Sequence, residues 1–500
     1  MSIIDQLKPL RAAGKARTAG LADDIIKRFA ASDQNLRLAV DQAVTSYHQL
    51  REEFGELLDG DEAELIELLQ SGFVNFYADD VINPYIALAA KGPWLVTVKG
   101  AVLHDNGGYG MLGFGHAPQQ ILDVMSQPQV MANIMSPNFS QLRFTHSLQQ
   151  EIGHRREQGC PFDKFLCLNS GSESVTVAAR ISDINAKVQT DPGGRHAGKR
   201  IRQMSLSGGF HGRTDRPARY SHSTLKAYRK HLATYRDLHQ DLITVEANNQ
   251  PELRAAFAQA ERDNVFIESM FMEPVMGEGN PGQAVSPEFY ALARELTAQH
   301  GSLLLVDSIQ AGLRAHGVLS VVDYPGFEQL PAPDLETYSK ALNAGQYPLS
   351  VLAMTASAAD IYRKGVYGNT MTAAPRALDI GNVVLRSLSD EIRHNIRARG
   401  EEFMQKLRAL QAEMPNVITN VQGTGLLISA ELDSRQFKSH GSDSIEEYMR
   451  LHGINVIHGG ENSLRYTPHF KITSAEIDLL IDATRQALLH GPVKAEAEAA

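Results

Sequence analysis

Five short stretches carry residues whose types and spacing could do chemistry, and they follow one another along the chain. Asn169-Ser-Gly-Ser-Glu173 comes after an apolar run and opens a helical pattern. The N–H groups of Gly171 and Ser172, the Ser172 hydroxyl and the helix dipole would there converge on an anion such as a phosphate. The same residues also read as a capping box, Ser170 with Glu173, which needs no ligand. Gly208-Gly-Phe-His-Gly-Arg213 places Phe210 and His211 after a second apolar run, and Glu273 follows a third. Ser302-Leu-Leu-Leu-Val-Asp-Ser-Ile-Gln310 then gives a strand buried on both faces, with Asp307 at its carboxyl end, where open α/β sheets bind ligands. Asp307 could face the Mg²⁺ of a nucleotide triphosphatase, the ring nitrogen of a pyridine cofactor, or no ligand at all, as a turn cap. Last, Tyr338-Ser-Lys-Ala-Leu-Asn-Ala-Gly345 supplies Lys340.

Two further stretches imitate nucleotide-binding loops. Gly108-Tyr-Gly-Met-Leu-Gly113 fits the dinucleotide fingerprint, but Gly115, His116 and Pro118 interrupt the helix that should begin at its third glycine. A glycine-rich turn is the better reading. Gly193-Gly-Arg-His-Ala-Gly-Lys199 is close to a P-loop, yet Arg200 replaces the hydroxyl residue that would hold Mg²⁺, and Asp191-Pro192 stands where a strand should lead in. A solvated basic loop is expected there, which leaves a triphosphatase as a poor alternative.

The elements that must position these residues alternate. Strands are expected at 165–168, 201–206, 242–246, 265–271 and 303–306, and helices at 174–187, 251–262 and 287–300. That alternation predicts an α/β fold with a mostly parallel sheet and right-handed crossovers. Residues 1–72 read as N-terminal helices, followed by a hairpin over 94–105 turning at Gly100. Beyond 380 the pattern becomes one long helix over 377–413, strands near 425–432 and 455–457, and a last helix over 474–489. The expected division is 1–104 (helices and hairpin contributing to a small domain), 105–380 (large cofactor-binding domain), 381–490 (C-terminal small domain) and 491–500 (a frayed tail).

Taken together, the five stretches resemble the class III aminotransferases, pyridoxal-phosphate enzymes of fold type I. The motifs keep the family's order over about 165–380, and weaker similarity runs to near 490. The resemblance implies that Lys340 forms the Schiff base with pyridoxal 5'-phosphate and moves the substrate's Cα proton. It implies that Asp307 pairs with the protonated pyridine nitrogen and that Gln310 bonds the phenolic oxygen. Phe210 would stack on the ring with His211 beside it, Ser170, Gly171 and Ser172 would hold the phosphate, and Glu273 would lie near the ring. Thr370, with Thr372 as competitor, would reach the phosphate of a partner subunit's cofactor, making a homodimer with shared sites. Arg465 aligns with an arginine that can grip a substrate carboxylate. The implied activity is ping-pong transfer of an amino group from an amino acid or ω-amine to a keto acid or aldehyde. Racemisation, amine migration and decarboxylation use the same cofactor motifs and stay open, as does a non-catalytic binding protein. Two departures border the substrate pocket: Ser308 stands where the family usually has glutamate, and Arg314-Ala-His-Gly317 displaces the family's arginine by one position.

Composition agrees with a small-molecule enzyme. The 500 residues are 43% hydrophobic and 21% charged, with a formal charge of −10 that gives no whole-protein attraction to nucleic acid or anionic membrane. No apolar stretch approaches a membrane span, and a cytoplasmic location is expected. Cys160 and Cys167, the two cysteines, are too few for a disulfide framework and lack zinc-ligand spacing, so no metal site is expected.

Overall fold

In the computed structural model, which describes residues 2–236 and 242–494, the chain falls into two compact units. One comprises 1–119, 398–422 and 428–500, the other 120–397 and 423–427. The expected tail lies partly beyond the description, since 495–500 are outside the described residues.

In the first unit, helices Ile3–Arg11, Asp23–Ser32, Gln34–Phe54 and Glu62–Gln70 precede β1 (Ala87–Lys91), β2 (Trp94–Thr97) and β3 (Val102–Asp105). β2 and β3 form the expected antiparallel hairpin, with Gly100 at φ +69° in its turn. Lys99 is buried beside it, its ammonium donating to the carbonyls of Ala13, Leu58 and Gly60 at 2.6, 2.9 and 2.5 Å. That contact fastens the N-terminal helices to the hairpin.

The second unit holds the sheet. Its strands are β4 (Lys164–Leu168), β5 (Arg200–Leu206), β6 (Leu242–Val245), β7 (Val265–Met272), β8 (Leu303–Asp307), β9 (Leu335–Tyr338) and β10 (Ser350–Met354). Their spatial order is β4-β10-β9-β8-β7-β5-β6. Every residue of β7 and β8 is buried, as expected for central strands covered on both faces. β10 runs antiparallel to both β4 and β9, and the other pairs are parallel. Two reversals cancel, so the carboxyl end of β4 shares an edge with those of β9, β8, β7 and β5. That edge collects the five stretches.

Three features differ from expectation. β9 and β10 are additional strands, and β9 is buried in spite of carrying Glu336 and Thr337. The long helix over 377–413 is two helices, Pro375–Arg386 and Asp390–Glu413. The Ser387 hydroxyl bonds back to the Val383 carbonyl at 2.7 Å, and Ser389 Oγ accepts from Ile392 N at 3.3 Å, so a serine ends one helix and another starts the next. The strand near 455–457 is also split. β13 (Ile454–Asn455) pairs parallel with β3, whereas β14 (Ile457–Gly459) joins a second sheet of order β11-β12-β15-β14, in which β11 is Ile418–Thr424, β12 Leu427–Leu432 and β15 Ser463–Tyr466. The last helix, Ser474–His490, falls where the period placed it.

Candidate active site

Asp307 ends β8, is 4% exposed, and is held on both oxygens. Its Oδ2 lies 2.9 Å from His211 Nδ1. Its Oδ1 accepts from the Thr337 hydroxyl at 3.1 Å and from Ile309 N at 3.2 Å. Thr337 stands directly opposite Asp307 in the β8–β9 register, which explains the reach of a side chain as short as threonine. The other ring nitrogen of His211, Nε2, is buried with no hydrogen-bond partner.

Lys340 begins the short helical turn Lys340–Asn343 just after β9, with φ +45°, in the left-handed region that side chains seldom adopt. The turn is pinned at its flanks, Ser339 Oγ and Asn343 Nδ2 both donating to the Leu349 carbonyl at 2.8 and 3.0 Å. Lys340 and Asp307 share a cavity of about 180 Å³ with Ser170, Phe210, His211 and Gln310. Gly171, Ser172 and Glu273 also line it.

At the cavity's β4 side the capping box exists. Ser170 Oγ accepts from Glu173 N at 3.3 Å, and Glu173 Oε2 accepts from Ser170 N at 3.0 Å. This uses the N–H of Glu173, while those of Gly171 and Ser172 begin the helix ahead of its internal ladder. The cap and an anion site are therefore compatible. Gly212, at φ +116°, lies against this turn so closely that a Cβ would fall 2.4 Å from Ser172 Oγ. Gly277 plays the same part for Gln310, whose Cδ would lie 2.3 Å from a Cβ there.

Glu273 is buried beneath the aromatic turn. It accepts from Phe210 N at 3.0 Å and from Gly277 N at 2.8 Å, tying two strand ends together. Burial, with Asp307 nearby, pushes its carboxyl up to about 7, against the pull of His211. The Arg213 guanidinium lies over the Phe210 ring at 5.6 Å.

Two of the predicted site residues stand elsewhere. Thr370 is exposed and does not line this cavity; its carbonyl accepts from Asn133 Nδ2 at 3.0 Å. Thr372 is buried and its hydroxyl donates to Asn369 O at 2.9 Å. Arg465 belongs to the first unit, buried on β15 with its guanidinium 5.7 Å from the Tyr109 ring centre. The sequence reasoning missed Thr337 and Glu336. Glu336 accepts from Ser308 Oγ and Ser320 Oγ, both at 2.6 Å, and from Val321 N at 2.9 Å. Burial pushes it up to about 7. Ser308, the departure beside Asp307, is thus the partner of a buried carboxylate on the next strand.

Neither nucleotide-loop imitation survives the fold. Gly108–Gly113 leads into turns, and the next helix opens only at Gln119–Met125. Gly193–Lys199 precedes the amino end of β5, at the edge opposite the cavity, and Lys199 donates to Glu261 at 2.6 Å.

The cavity joins a lysine, a strand-end aspartate and a helix N-terminus at the carboxyl edge of the sheet, and the family profile described as Aminotransferase class-III matches residues 76–488. The chain belongs to this family. Class III aminotransferases transfer amino groups with pyridoxal phosphate. Among similar proteins, the acetylornithine aminotransferase of Xanthomonas campestris pv. campestris is 31% identical over 314 residues, 63% of this chain and 71% of that one. The ornithine aminotransferase structure from Toxoplasma gondii aligns with TM-score 0.70 and 21% identity over 86% of this chain and 95% of that chain. A second structure of that enzyme, TM-score 0.70 and 20% identity over 85% and 94% of the two chains, is described as having partial occupancy of PLP at the active site. At these identities the structural likeness shows the fold, the type I architecture of pyridoxal-phosphate aminotransferases.

Proposed function

We propose that Lys340 is the lysine to which pyridoxal phosphate attaches and that the cavity around it is the transamination site. The observation that carries this reading is the convergence of Lys340, Asp307, His211, Gln310, Phe210 and the Ser170–Ser172 turn on one cavity in one unit. The donor set suits the cofactor: N–H groups at a helix start for a phosphate, a fixed carboxylate for a ring N–H, and glycines where side chains would block approach. When bound, the cofactor supplies a cationic ring that takes up the electron pair left at the substrate's Cα.

Asp307 holds the proton on the ring nitrogen, and His211 and Thr337 keep Asp307 oriented and desolvated. Gln310 donates to the phenolic oxygen. Phe210 covers one ring face, and Glu273 fixes the turn that carries Phe210. Lys340 would be the base that removes the substrate's Cα proton and redelivers it. The donors are amino acids or ω-amines and the acceptors keto acids or aldehydes, in ping-pong order. The names of the relatives favour an ornithine-like donor.

The active unit is a homodimer in which Thr370 reaches the partner's cofactor phosphate. Support comes from the exposed segment around it: Val130, Met131, Ile134, Met135 and Phe139 are 55–93% exposed, and such a run of exposed apolar side chains suits a protein interface. We place the enzyme in the cytoplasm. Cys160 and Cys167 are free, and no helix among the described residues is long and apolar enough to cross a membrane.

The test is a half-reaction. Cofactor-loaded protein mixed with an amino donor alone should turn over once and stop, resuming when a keto acid is added. Racemisation without any acceptor would contradict transamination. Borohydride should bleach the yellow colour and leave the cofactor irreversibly attached to Lys340, located by peptide mass. Lys340→Ala should lower the half-reaction rate by a factor on the order of 10²–10⁴ or more with the fold intact, and a near-normal rate would exclude Lys340 as the base.

A further inference from the structure

Outside the cofactor cavity, the first unit buries a second cluster of ligating side chains. His104 lies on β3, Glu476 in the first turn of the helix Ser474–His490, and His469 shortly before that helix. His104 and Glu476 are 372 residues apart in sequence. Glu476 Oε1 lies 2.9 Å from His104 Nε2 and 2.9 Å from His469 Nε2. Glu476 Oε2 accepts from Thr473 N at 2.8 Å and Thr473 Oγ1 at 2.7 Å, so Oε1 is the oxygen left for the histidines. His104 is fully buried, its ring stands perpendicular to that of Trp94 with centroids 4.9 Å apart, and the His469 side chain is 12% exposed.

Asn106 stands behind His104 and can orient its ring for a ligand. Its Nδ2 lies 2.9 Å from His104 Nδ1 and donates to the His104 carbonyl at 3.4 Å, while its Oδ1 is buried with no partner. An amide's oxygen and nitrogen are exchanged by a half-turn, which here gives up the long bond to the His104 carbonyl and brings Oδ1 to His104 Nδ1. Turned over, Oδ1 accepts from His104 Nδ1–H, and the neutral ring then presents a lone pair at Nε2. That lone pair faces Glu476 Oε1 at 2.9 Å, which is repulsive unless a positive charge lies between them. A histidine that donates through one nitrogen to an amide oxygen and offers the other is the usual posture of a metal ligand.

We propose that His104, His469 and Glu476 bind a divalent transition-metal ion, zinc by its ligand chemistry, with water completing a tetrahedron. Two imidazoles and a carboxylate are a zinc ligand set. All three ligand atoms lie within 4.8 Å of one another. Bonds of about 2.0–2.1 Å place the ligand atoms of a tetrahedral ion about 3.3 Å apart, which small side-chain rotations provide. The ion would reach the cluster from the partly exposed His469 side. It would clamp β3 to the chain's last helix, and the site is independent of the transamination site assigned above.

The experiment uses the full-length protein, purified without a metal-affinity step. Elemental analysis should find close to one zinc per chain, lost in His469→Ala with pyridoxal-phosphate content unchanged. Chelator-stripped wild type titrated with zinc should gain thermal stability in a concentration-dependent way, and cobalt(II) should give the intense visible bands of a tetrahedral site. Asn106→Leu should weaken zinc affinity roughly 10–100-fold, whereas Asn106→Asp, which still accepts from His104 Nδ1–H, should restore it. Stripped wild type whose unfolding temperature ignores zinc would overturn the proposal, even if the variants fail to fold. So would zinc retained at the same stoichiometry in His469→Ala, or Asn106→Asp binding as weakly as Asn106→Leu.

Discussion

Asp307 is held by three donors before any ligand arrives, and its preorganisation is the most informative feature at the scale of single residues. Its strand-end position left three partners open in the sequence. His211, Thr337 and the Ile309 N–H fix its direction, and Lys340 shares its cavity. Asp307→Asn should keep the fold and bind the cofactor, but lower the half-reaction rate by a factor on the order of 10²–10⁴. Retained turnover with cofactor bound, measured by stopped-flow absorbance, would contradict its role at the ring nitrogen. Glu336, which the motifs did not single out, governs a pH effect. Its carboxyl is pushed from 4.5 up to about 7, so between these values the folded chain binds more protons than the unfolded one. Its stabilising contribution is complete below about 4.5 and is lost as pH rises through about 7, on the order of 3 kcal/mol in all. Urea unfolding across pH 4.5–8 should therefore show a decline that is smaller in Glu336→Gln; parallel curves would remove Glu336 as the source.

At the scale of elements, the turn after β4 combines two duties that separate substitutions can pull apart. Ser170 caps the helix Gly171–Thr190 through Glu173 N, so Ser170→Ala should cost about 1 kcal/mol of apoprotein stability. Ser172 makes no part of that cap. Ser172→Ala should leave the apoprotein's urea midpoint unchanged and raise the dissociation constant for pyridoxal phosphate. An equal loss of stability in both variants would count against the division. The sequence showed this edge of the sheet because each functional turn follows an apolar run, and such runs are legible. It hid β9, since Glu336 and Thr337 look like surface residues until Ser308, Ser320 and Asp307 are brought alongside. The reversal at β10 was equally hidden, because Ser350–Met354 reads the same in either direction. His104, His469 and Glu476 had no local pattern at all, being joined only by the pairing of β3 with β13 and the docking of the last helix.

For the whole molecule, the exposed apolar segment around Thr370 makes assembly measurable. Met131 is 93% exposed, and Met131→Asp would place a charge in the proposed dimer surface. Light scattering should find wild type as a dimer and the variant shifted toward monomer, with weaker cofactor retention because Thr370 is offered to the partner. Monomeric wild type would exclude shared sites. Chain order has a further consequence within the first unit. β3 finds its neighbour β13 only when Asn455 emerges, 350 residues after Asp105. At about 5–20 residues per second, a ribosome leaves that edge without its mate for roughly 20–70 s. Nascent chains stalled before residue 454 should thus be the ones that engage chaperones and aggregate, and loss of the last fifth of the gene would strand the N-terminal sheet as a half-finished template.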